Sequence, residues 1–588
     1  MCGIVGIVGE KNAKDFVIES LKKLEYRGYD SWGIGLVENG GLKIVKKAGK
    51  IGNVRSQSIS SKAKIAIGHT RWATHGVVTS ANAHPHTDCK AKIAVAHNGI
   101  INNYRELREQ LQRVGHRFKS ETDTEVIPHL VEENLKSKMT LREAFRKALH
   151  QLKGDYALCL VSAQENKIYL ASCGCPLTIG INSQEKYISS DIAAFAERTQ
   201  EVIFLKDNSF AEVGKEIKIF DIETGKAKRV NTQKIALESQ KANLGHFKHF
   251  LFKEINEQPE ILEKVSQMAT REIETNAALI RNSFGTFFVA CGTAYHAALA
   301  AQYFFAKFAK THVNTALASE FPAFKNFITD KTLLFAISQS GETADVLDAV
   351  KSAKTKKAKI FSLLNNPNST LARLSDYVMV TPAGREVAVL STKAYTSQLA
   401  VLYLLSSAIV QDLSNAQKNI LTTSRSVSEI LKVSSIAQIK ELARKIKAVK
   451  NLFTVGRALN YPTALEAALK IKESTYIHAE GFAGGELKHG TIALIEKGVP
   501  CIVFISEDEV KDEILSNAEE LKARGAYIIG VAPENNKIFD YWLKVADTSA
   551  LSPIVNIVPI QVLAYFITLE KGLDPDKPRN LAKSVTVK

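Results

Sequence analysis

Short apolar runs separated by polar turns dominate the chain, and their rhythm changes near residue 280. Ahead of that point, residues 4–8 and 32–37 read as buried strands, with a helix between them from about 14 to 24. Residues 65–68 form a predicted strand running into His69-Thr70-Arg71-Trp72-Ala73-Thr74-His75-Gly76, and 93–96 another that enters His97-Asn98-Gly99. The polar run 120–125 resembles a capping sequence that opens a helix. From 213 to about 243 the chain is lysine-rich and polar, which predicts an inter-domain linker. Residues 253–259 then open a helical lead-in.

From about 282 the pattern is strand, turn, helix, repeated. Residues 286–290 end at Cys291-Gly292-Thr293, and 332–337 end at Ser338-Gln339-Ser340-Gly341-Glu342-Thr343. The helix that follows carries Ala344, Leu347, Val350 and Ala353 along one face. Residues 359–363 are the next strand. The same order returns at 451–455, 500–505 and 527–531. The offset of about 165 residues predicts a two-copy duplication of an α/β unit.

Composition narrows the setting. The 588 residues leave room for roughly four domain-sized units, and 45% hydrophobic with 23% charged residues is ordinary for a globular chain. Seven scattered cysteines argue against a disulfide framework and for a reducing, cytoplasmic location. Cys173 and Cys175 have no second pair nearby, which disfavours a metal site there. The start meets Glu10, Lys11 and Lys14 before a signal-peptide core could form, so no targeting segment is expected. No apolar run is read as approaching the ~20 residues that span a bilayer. The net charge of +16 is concentrated in lysine-rich clusters at 354–359 and 444–450, without aromatic interleaving. These read as solvated helix ends, so nucleic-acid binding is disfavoured and attraction of an anionic sugar phosphate is a modest benefit.

Candidate chemistry begins at Cys2. Removal of Met1 would leave a cysteine whose α-amine titrates near neutrality and can serve as base for its own thiol. A thiolate attacking a carboxamide creates an oxyanion, which the Asn98 side chain and Gly99 backbone could stabilise. Arg71 suits a substrate carboxylate bidentately, and Asp123 a substrate ammonium. Each has a plainer reading: Asn98-Gly99 as a hairpin turn, Arg71 as a surface charge, Asp123 as a helix cap. A metal pair at His84 and His86 is less favoured than loop packing.

These stretches, with Cys2-Gly3-Ile4-Val5-Gly6, Tyr26-Arg27-Gly28-Tyr29-Asp30-Ser31 and Glu121-Thr122-Asp123, resemble in order the N-terminal-cysteine glutamine amidotransferase domain. The resemblance implies a four-layer αββα fold that hydrolyses glutamine to glutamate and ammonia. It assigns Cys2 as nucleophile and base, Asn98 and Gly99 as oxyanion hole, Arg71 and Asp123 as glutamine clamps, and Trp72 as a gate for ammonia.

In the duplicated part, Ser338, Gln339, Ser340 and Thr343 crowd a helix N-terminus, where free N–H groups and the helix dipole favour phosphate. The second copy has Glu507 and Asp508 in that turn, which would repel phosphate. It carries instead Lys470 and Glu473 at i and i+3, then His478-Ala479-Glu480 and Gly484-Gly485-Glu486-Leu487-Lys488-His489-Gly490. Ordinarily the Lys470–Glu473 pair is a solvated salt bridge; beside a phosphate pocket, such groups suit proton transfer on an open-chain sugar.

These features resemble the paired sugar-isomerase (SIS) domains of the glucosamine-6-phosphate synthase family, and the likeness covers essentially the whole chain. The resemblance implies that Ser338, Gln339, Ser340 and Thr343 hold the phosphate while Thr293, Val389 and Ser391 contact the sugar. It implies that His489, donated by the neighbouring subunit of a homodimer, opens the ring. Glu473 would move the proton between C1 and C2 with Lys470 assisting, and Lys583 would sit at the substrate carbonyl. The chain departs from the family's usual residues at Ala294, Ala388, Leu390 and Thr491.

The expectation is therefore a multi-domain α/β enzyme: an N-terminal-nucleophile αββα glutaminase domain at 2–240, a linker and helical lead-in at 241–281, and two doubly wound SIS domains at 282–425 and 440–578. A tail at 579–588 would lie between the two active sites. The expected reaction converts fructose 6-phosphate and glutamine into glucosamine 6-phosphate and glutamate, with ammonia channelled and neither metal nor cofactor called for. A different glutamine-dependent transferase, a non-catalytic sugar-phosphate sensor and a nucleic-acid binder are the rival readings.

Overall fold

Alternation along the first strand decides the layering of the N-terminal part. Val5 and Ile7 pack with Phe16, Val17 and Leu21 of the helix Ala13–Lys23, while Ile4 faces the other way, onto Ala94, Ala157 and Cys159. A side chain at Gly6 would press on Cys159 and Ile168, and one at Gly68 would drive into Val17, so both positions need the bare backbone.

The computed structural model describes residues 2–9, 13–52, 54–235 and 243–586. Met1, whose removal the sequence reading invokes, lies outside the described residues, as do the boundary at 240–241 and the last two residues of the tail. The chain forms two compact units, Met1–Ser239 with Ala582–Lys588, and Gln240–Leu581.

The first unit holds two antiparallel sheets. One runs Gln233–Lys234, Glu201–Leu205, Leu177–Ile181, Lys186–Ser189, Gly3–Val8, Ile65–Arg71, Ser31–Glu38, Gly41–Ala48. The other runs Ala227–Lys228, Ile217–Asp221, Ser209–Val213, Ile168–Cys173, Gly154–Ser162, Ile93–Ile101, His86–Thr87. Their inner faces share one apolar layer. The outer faces are covered by Ala13–Lys23 on one side and by Val126–Leu135 and Leu141–Gln151 on the other. That is the four-layer αββα arrangement.

The linker reading of 213–243 needs correcting, because Ile217–Asp221, Ala227–Lys228 and Gln233–Lys234 all add strands to these sheets. Ala227–Lys228 and Gln233–Lys234 are edge strands, where lysines are tolerated and discourage further pairing, and Ile217–Asp221 lies one strand in from the edge.

The second unit contains two five-stranded parallel sheets with the same order of strands, 2-1-3-4-5 when each sheet is numbered in chain order. The first uses Phe287–Ala290, Asn314–Leu317, Leu333–Ser338, Lys359–Leu364 and Tyr377–Val380. The second uses Asn451–Gly456, His478–Ala483, Pro500–Phe504, Tyr527–Ala532 and Tyr541–Lys544. In such doubly wound sheets ligands bind beyond the carboxyl ends of strands 1 and 3, where the winding reverses.

One apolar cluster joins the helices of both copies, with Lys393–Ile409 and Ser552–Glu570 at its centre. Here a second correction is due. The stretch Ser549–Glu570 is long and apolar enough to cross a bilayer, with mean hydropathy 1.8, but its most apolar 18 residues are all buried in this core. Its polar side chains find protein partners: Asn556 donates to Asn460 Oδ1 at 2.8 Å, and Gln561 Oε1 accepts from Gln258 at 2.8 Å. Such pairing is what a buried polar group needs in a core helix.

Candidate active sites

Strand Gly3–Val8 runs beside Ile65–Arg71, and this register brings Cys2 against the residues that follow Arg71. Cys2 is half-buried, and its Sγ accepts the Trp72 N–H at 3.3 Å. Burial pushes the thiol's pKa up, and the Trp72 N–H and the nearby Arg71 cation only partly offset this. The thiol is therefore not a ready-made thiolate, and a nucleophilic role requires an adjacent base.

Asn98 donates from Nδ2 to the Cys2 carbonyl at 3.1 Å, which puts its amide beside the thiol. It sits in the middle of strand Ile93–Ile101, paired with Gly154–Ser162, so the hairpin-turn reading does not hold. Gly99 has φ +124°, and a Cβ there would lie 2.0 Å from the Asp155 carbonyl. Only glycine fits that close strand contact.

Arg71 is buried rather than a surface charge. Its Nη2 bonds the carbonyls of His75 and Gly76, while Nη1 has no protein partner. Asp123 is likewise buried and accepts the Ile101 N–H at 2.8 Å, so it caps no helix. The capping expectation for 120–125 fails for a related reason. Helix Val126–Leu135 lacks a side-chain cap, and Glu125 instead turns back to take the N–H groups of Lys119 and Ser120. Cys2, Arg71, Trp72, Gly99 and Asp123 line one pocket.

His84 and His97 also line this pocket, and with His69 and His86 they form a buried histidine cluster. His69 Nε2 lies 2.9 Å from the His97 carbonyl and 3.1 Å from Asn98 Oδ1. Both are acceptors, so Nε2 carries the ring proton and fixes which way the Asn98 amide points. His69 stacks on His84 at 4.2 Å, and His84 meets His86 edge-on at 4.8 Å. His84 and His86 also contact Thr124 and Thr122, which agrees with packing rather than a metal pair.

Burial holds His69, His84, His86 and His97 below the ordinary imidazole range, with His69 pushed down to about 3. Imidazoles of the unfolded chain titrate near 6.5. Between roughly 6.5 and 3 the unfolded chain therefore binds protons that the folded unit refuses, and stability falls as pH drops. His69 contributes about 1.4 kcal/mol per pH unit in that window, and His84, His86 and His97 act in the same direction. Urea unfolding followed by tryptophan fluorescence should show a lower midpoint at pH 5.5 than at pH 7.5. A midpoint that stays level or rises on acidification would contradict the neutral stack.

In the second unit, the turns after Phe287–Ala290 and Leu333–Ser338 lie side by side, since these strands are neighbours. Thr343 precedes helix Ala344–Thr355 without a side-chain cap; its hydroxyl pairs with Ser338 at 3.2 Å. Ser340 accepts the Glu342 N–H at 3.1 Å, and Gln339 lies in the same turn. Gly341 has φ +66°, and a Cβ would strike Ser369 Oγ. The turn thus presents hydroxyls and helix N–H groups together, as an anion cradle requires.

Thr293, in the first turn of helix Gly292–Lys307, receives Lys470 Nζ at 3.1 Å and donates to Glu466 Oε1 at 3.0 Å. Lys470 is itself 1% exposed and bonded to Glu473, so the solvated-salt-bridge reading fails. Sequence reasoning missed Glu466, fully buried at 3.2 Å from Lys470, and His296, which pairs with Glu466 at 2.7 Å. The i,i+4 spacing of Glu466 and Lys470 was the available signal. Burial opposes the Lys470 charge, but the two carboxylates outweigh it and raise its pKa. Lys470 is a fixed cation.

Ser391 donates to Glu386 at 3.0 Å, and Val389 N–H bonds the Asp576 carbonyl at 3.1 Å. Ala388 and Leu390 point into the apolar cluster and Ala294 packs against it, so these departures from the family alter packing. His489 is exposed at the end of the short turn Gly484–His489 and makes no hydrogen bond with Lys470 or Glu473. Lys583 groups with the first unit. In the second copy, Glu507 pairs with Lys511 and Asp508 accepts the Val510 N–H, so acids occupy the turn where the first copy has hydroxyls.

Comparison with known proteins agrees with this division. A family model described as a glutamine amidotransferase domain matches residues 69–197, and one described as an SIS domain matches 279–408 and 445–541. Glutamine–fructose-6-phosphate aminotransferase (isomerizing) of Thermococcus kodakarensis is 43% identical over the full length of both chains, and that of Pyrococcus horikoshii 42%. Among solved structures, the C-terminal domain of glucosamine-fructose-6-phosphate aminotransferase from Francisella tularensis matches with TM-score 0.54 and 34% identity, covering 57% of this chain and all of that one. Tagatose-6-phosphate ketose/aldose isomerase from Escherichia coli, at 18% identity and TM-score 0.50, covers 56% of this chain and 96% of its own and shares the fold.

Proposed function

The chain belongs to the glutamine–fructose-6-phosphate aminotransferase (isomerizing) family, and we propose how its residues divide that reaction. The enzyme takes nitrogen from glutamine and delivers it to fructose 6-phosphate, yielding glutamate and glucosamine 6-phosphate. At the first site Cys2 attacks the glutamine carboxamide, with its own α-amine as base once Met1 is gone. Asn98 and the Gly99 N–H receive the oxyanion, Arg71 the substrate carboxylate and Asp123 its ammonium. The buried, unpartnered Nη1 of Arg71 supports the clamp, because a substrate carboxylate would satisfy a donor that is costly to leave alone.

At the second site Ser338, Gln339, Ser340 and Thr343 hold the phosphate, while Thr293, Val389 and Ser391 face the sugar. Glu473 carries the proton between C1 and C2. Lys470, kept charged by Glu466, holds that carboxylate in place and ionised. The exposure of His489 fits donation to a second copy, so the active form is read as a homodimer. Seven cysteines, none of them in a disulfide among the described residues, fit a cytoplasmic enzyme. Ammonia freed into neutral water becomes mostly ammonium, which is not nucleophilic; channelling it, with Trp72 as its gate and Lys583 at the substrate carbonyl, answers that constraint.

The observation that carries this reading is the joint presence of the Cys2–Asn98 pair and the buried Glu466–Lys470–Glu473 array in one chain. Incubating the protein with glutamine and fructose 6-phosphate should produce glucosamine 6-phosphate, seen by NMR. Glutamate release without amino sugar would refute the second half, and neither product would refute both.

A further inference from the structure

Away from the glutamine pocket, three segments of the first unit bring four ligating atoms together. Cys89 lies in the loop between His86–Thr87 and Ile93–Ile101, His116 in the turn after helix Tyr104–Arg113, and His129 with Glu132 on helix Val126–Leu135. Cys89 Sγ is 3.7 Å from His116 Nδ1 and 3.6 Å from His129 Nδ1. The two Nδ1 atoms are 3.2 Å apart, and Glu132 Oε2 is 3.1 Å from one and 3.4 Å from the other. All four atoms lie within 4.8 Å of one another.

We propose that Cys89, His116, His129 and Glu132 form a tetrahedral zinc site. With usual bond lengths of about 2.3 Å to sulfur and about 2.0–2.2 Å to nitrogen or oxygen, a tetrahedron has S···N edges of about 3.6 Å and N···N or N···O edges of about 3.4 Å. The measured separations match these edges. One thiolate and one carboxylate neutralise a dication, and the mixed sulfur, nitrogen and oxygen donor set suits zinc rather than calcium or magnesium. Cys89 would bind as thiolate and release its proton to solvent.

The surroundings supply a second reason. His116 Nε2 is held by Glu133 Oε2 at 2.7 Å, and His129 Nε2 lies 3.8 Å from Glu125. Glu133 places the His116 ring proton on Nε2, as in carboxylate–histidine–zinc arrangements, while His129 Nε2 is buried with no hydrogen-bond partner among the described residues. Both Nδ1 atoms converge on a carboxylate oxygen and a sulfur, with His116 and His129 buried. A cation at the centre relieves that convergence. The Arg117 N–H donates to Sγ at 3.5 Å. Four protein ligands close the shell, so the role is structural: the ion would tie the Cys89 loop and the His116 turn to the helix entered from Asp123. The spacing hid this, since the partners of Cys89 come 27, 40 and 43 residues later.

The full-length protein, stripped with chelator, reconstituted with zinc sulfate and gel-filtered, should retain about one zinc per chain. Cys89→Ser and His116→Ala should each retain less than a tenth of that, while Cys2→Ala keeps it. Cobalt(II) should give a thiolate-to-metal charge-transfer band and intense tetrahedral d–d bands that vanish in Cys89→Ser. Zinc should raise the melting temperature of wild type but not of Cys89→Ser. Because Cys89 is at the surface, this variant keeps the fold, checked by circular dichroism, even if His116→Ala does not. Trace zinc in reconstituted wild type, zinc that survives Cys89→Ser, or a weak octahedral cobalt spectrum would overturn the site.

Discussion

Cys2→Ala protein releases glutamate from glutamine at a rate lower by at least on the order of 10⁴, as expected when a covalent nucleophile is removed. The structural cost is small, because the bond Sγ accepts from the Trp72 N–H is worth about 1 kcal/mol. The sugar-phosphate site belongs to the other compact unit and carries its own acid–base groups, so slow isomerisation of fructose 6-phosphate persists. The loss has a specific chemical origin. Burial drives the Cys2 thiol away from ionisation, so the attack needs a base, the role proposed for the α-amine of the same residue. Glutamine-dependent synthesis at a near-normal rate in Cys2→Ala would end the nucleophile assignment.

What the sequence showed and what it hid follow from how far apart the interacting parts lie. Cys2, Arg71, Asn98, Gly99 and Asp123 announce themselves because each sits in a short motif with an unusual combination of residues. The structure gathers Cys2, Arg71, Gly99 and Asp123 around one pocket and places Asn98 against the Cys2 carbonyl. The plain alternatives failed for reasons that no local pattern contains. Asn98-Gly99 resembles a turn only until the strand Gly154–Ser162 is laid beside it. Asp123 resembles a cap until the Ile101 N–H reaches it from another element.

The same limit explains the misses. Residues 217–234 looked like a linker because their strands are short and lysine-bearing, and only their partners reveal them. Glu466 looked like one more helical glutamate. It becomes an essential neighbour once Asn460–Thr475 packs on Gly292–Lys307, which brings Thr293 and His296 to it. Ser549–Glu570 carries the composition of a membrane span, and only the surrounding helices make it a core element.

Glu473→Gln should separate nitrogen release from isomerisation. Imine formation at C2 needs ammonia and an open-chain ketone, and neither requires a carboxylate at 473. Moving a proton from C1 to C2 does, because one group must take it and return it. A neutral amide cannot, so synthesis should fall on the order of 10²–10⁴, typical for a general acid–base residue. The buried setting makes a structural effect real as well: Lys470 loses one of two carboxylate partners, at about 1–3 kcal/mol. Glu466 remains at 3.2 Å and keeps the cation paired, so the unit stays folded. A purely structural role predicts synthesis that tracks the folded fraction and recovers below the melting temperature. A proton-carrying role predicts low kcat in fully folded protein, with glutamate release at the Cys2 site largely intact. Synthesis and glutamate release measured on one preparation decide between them. Equal, small changes in both would remove Glu473 from the proton transfer.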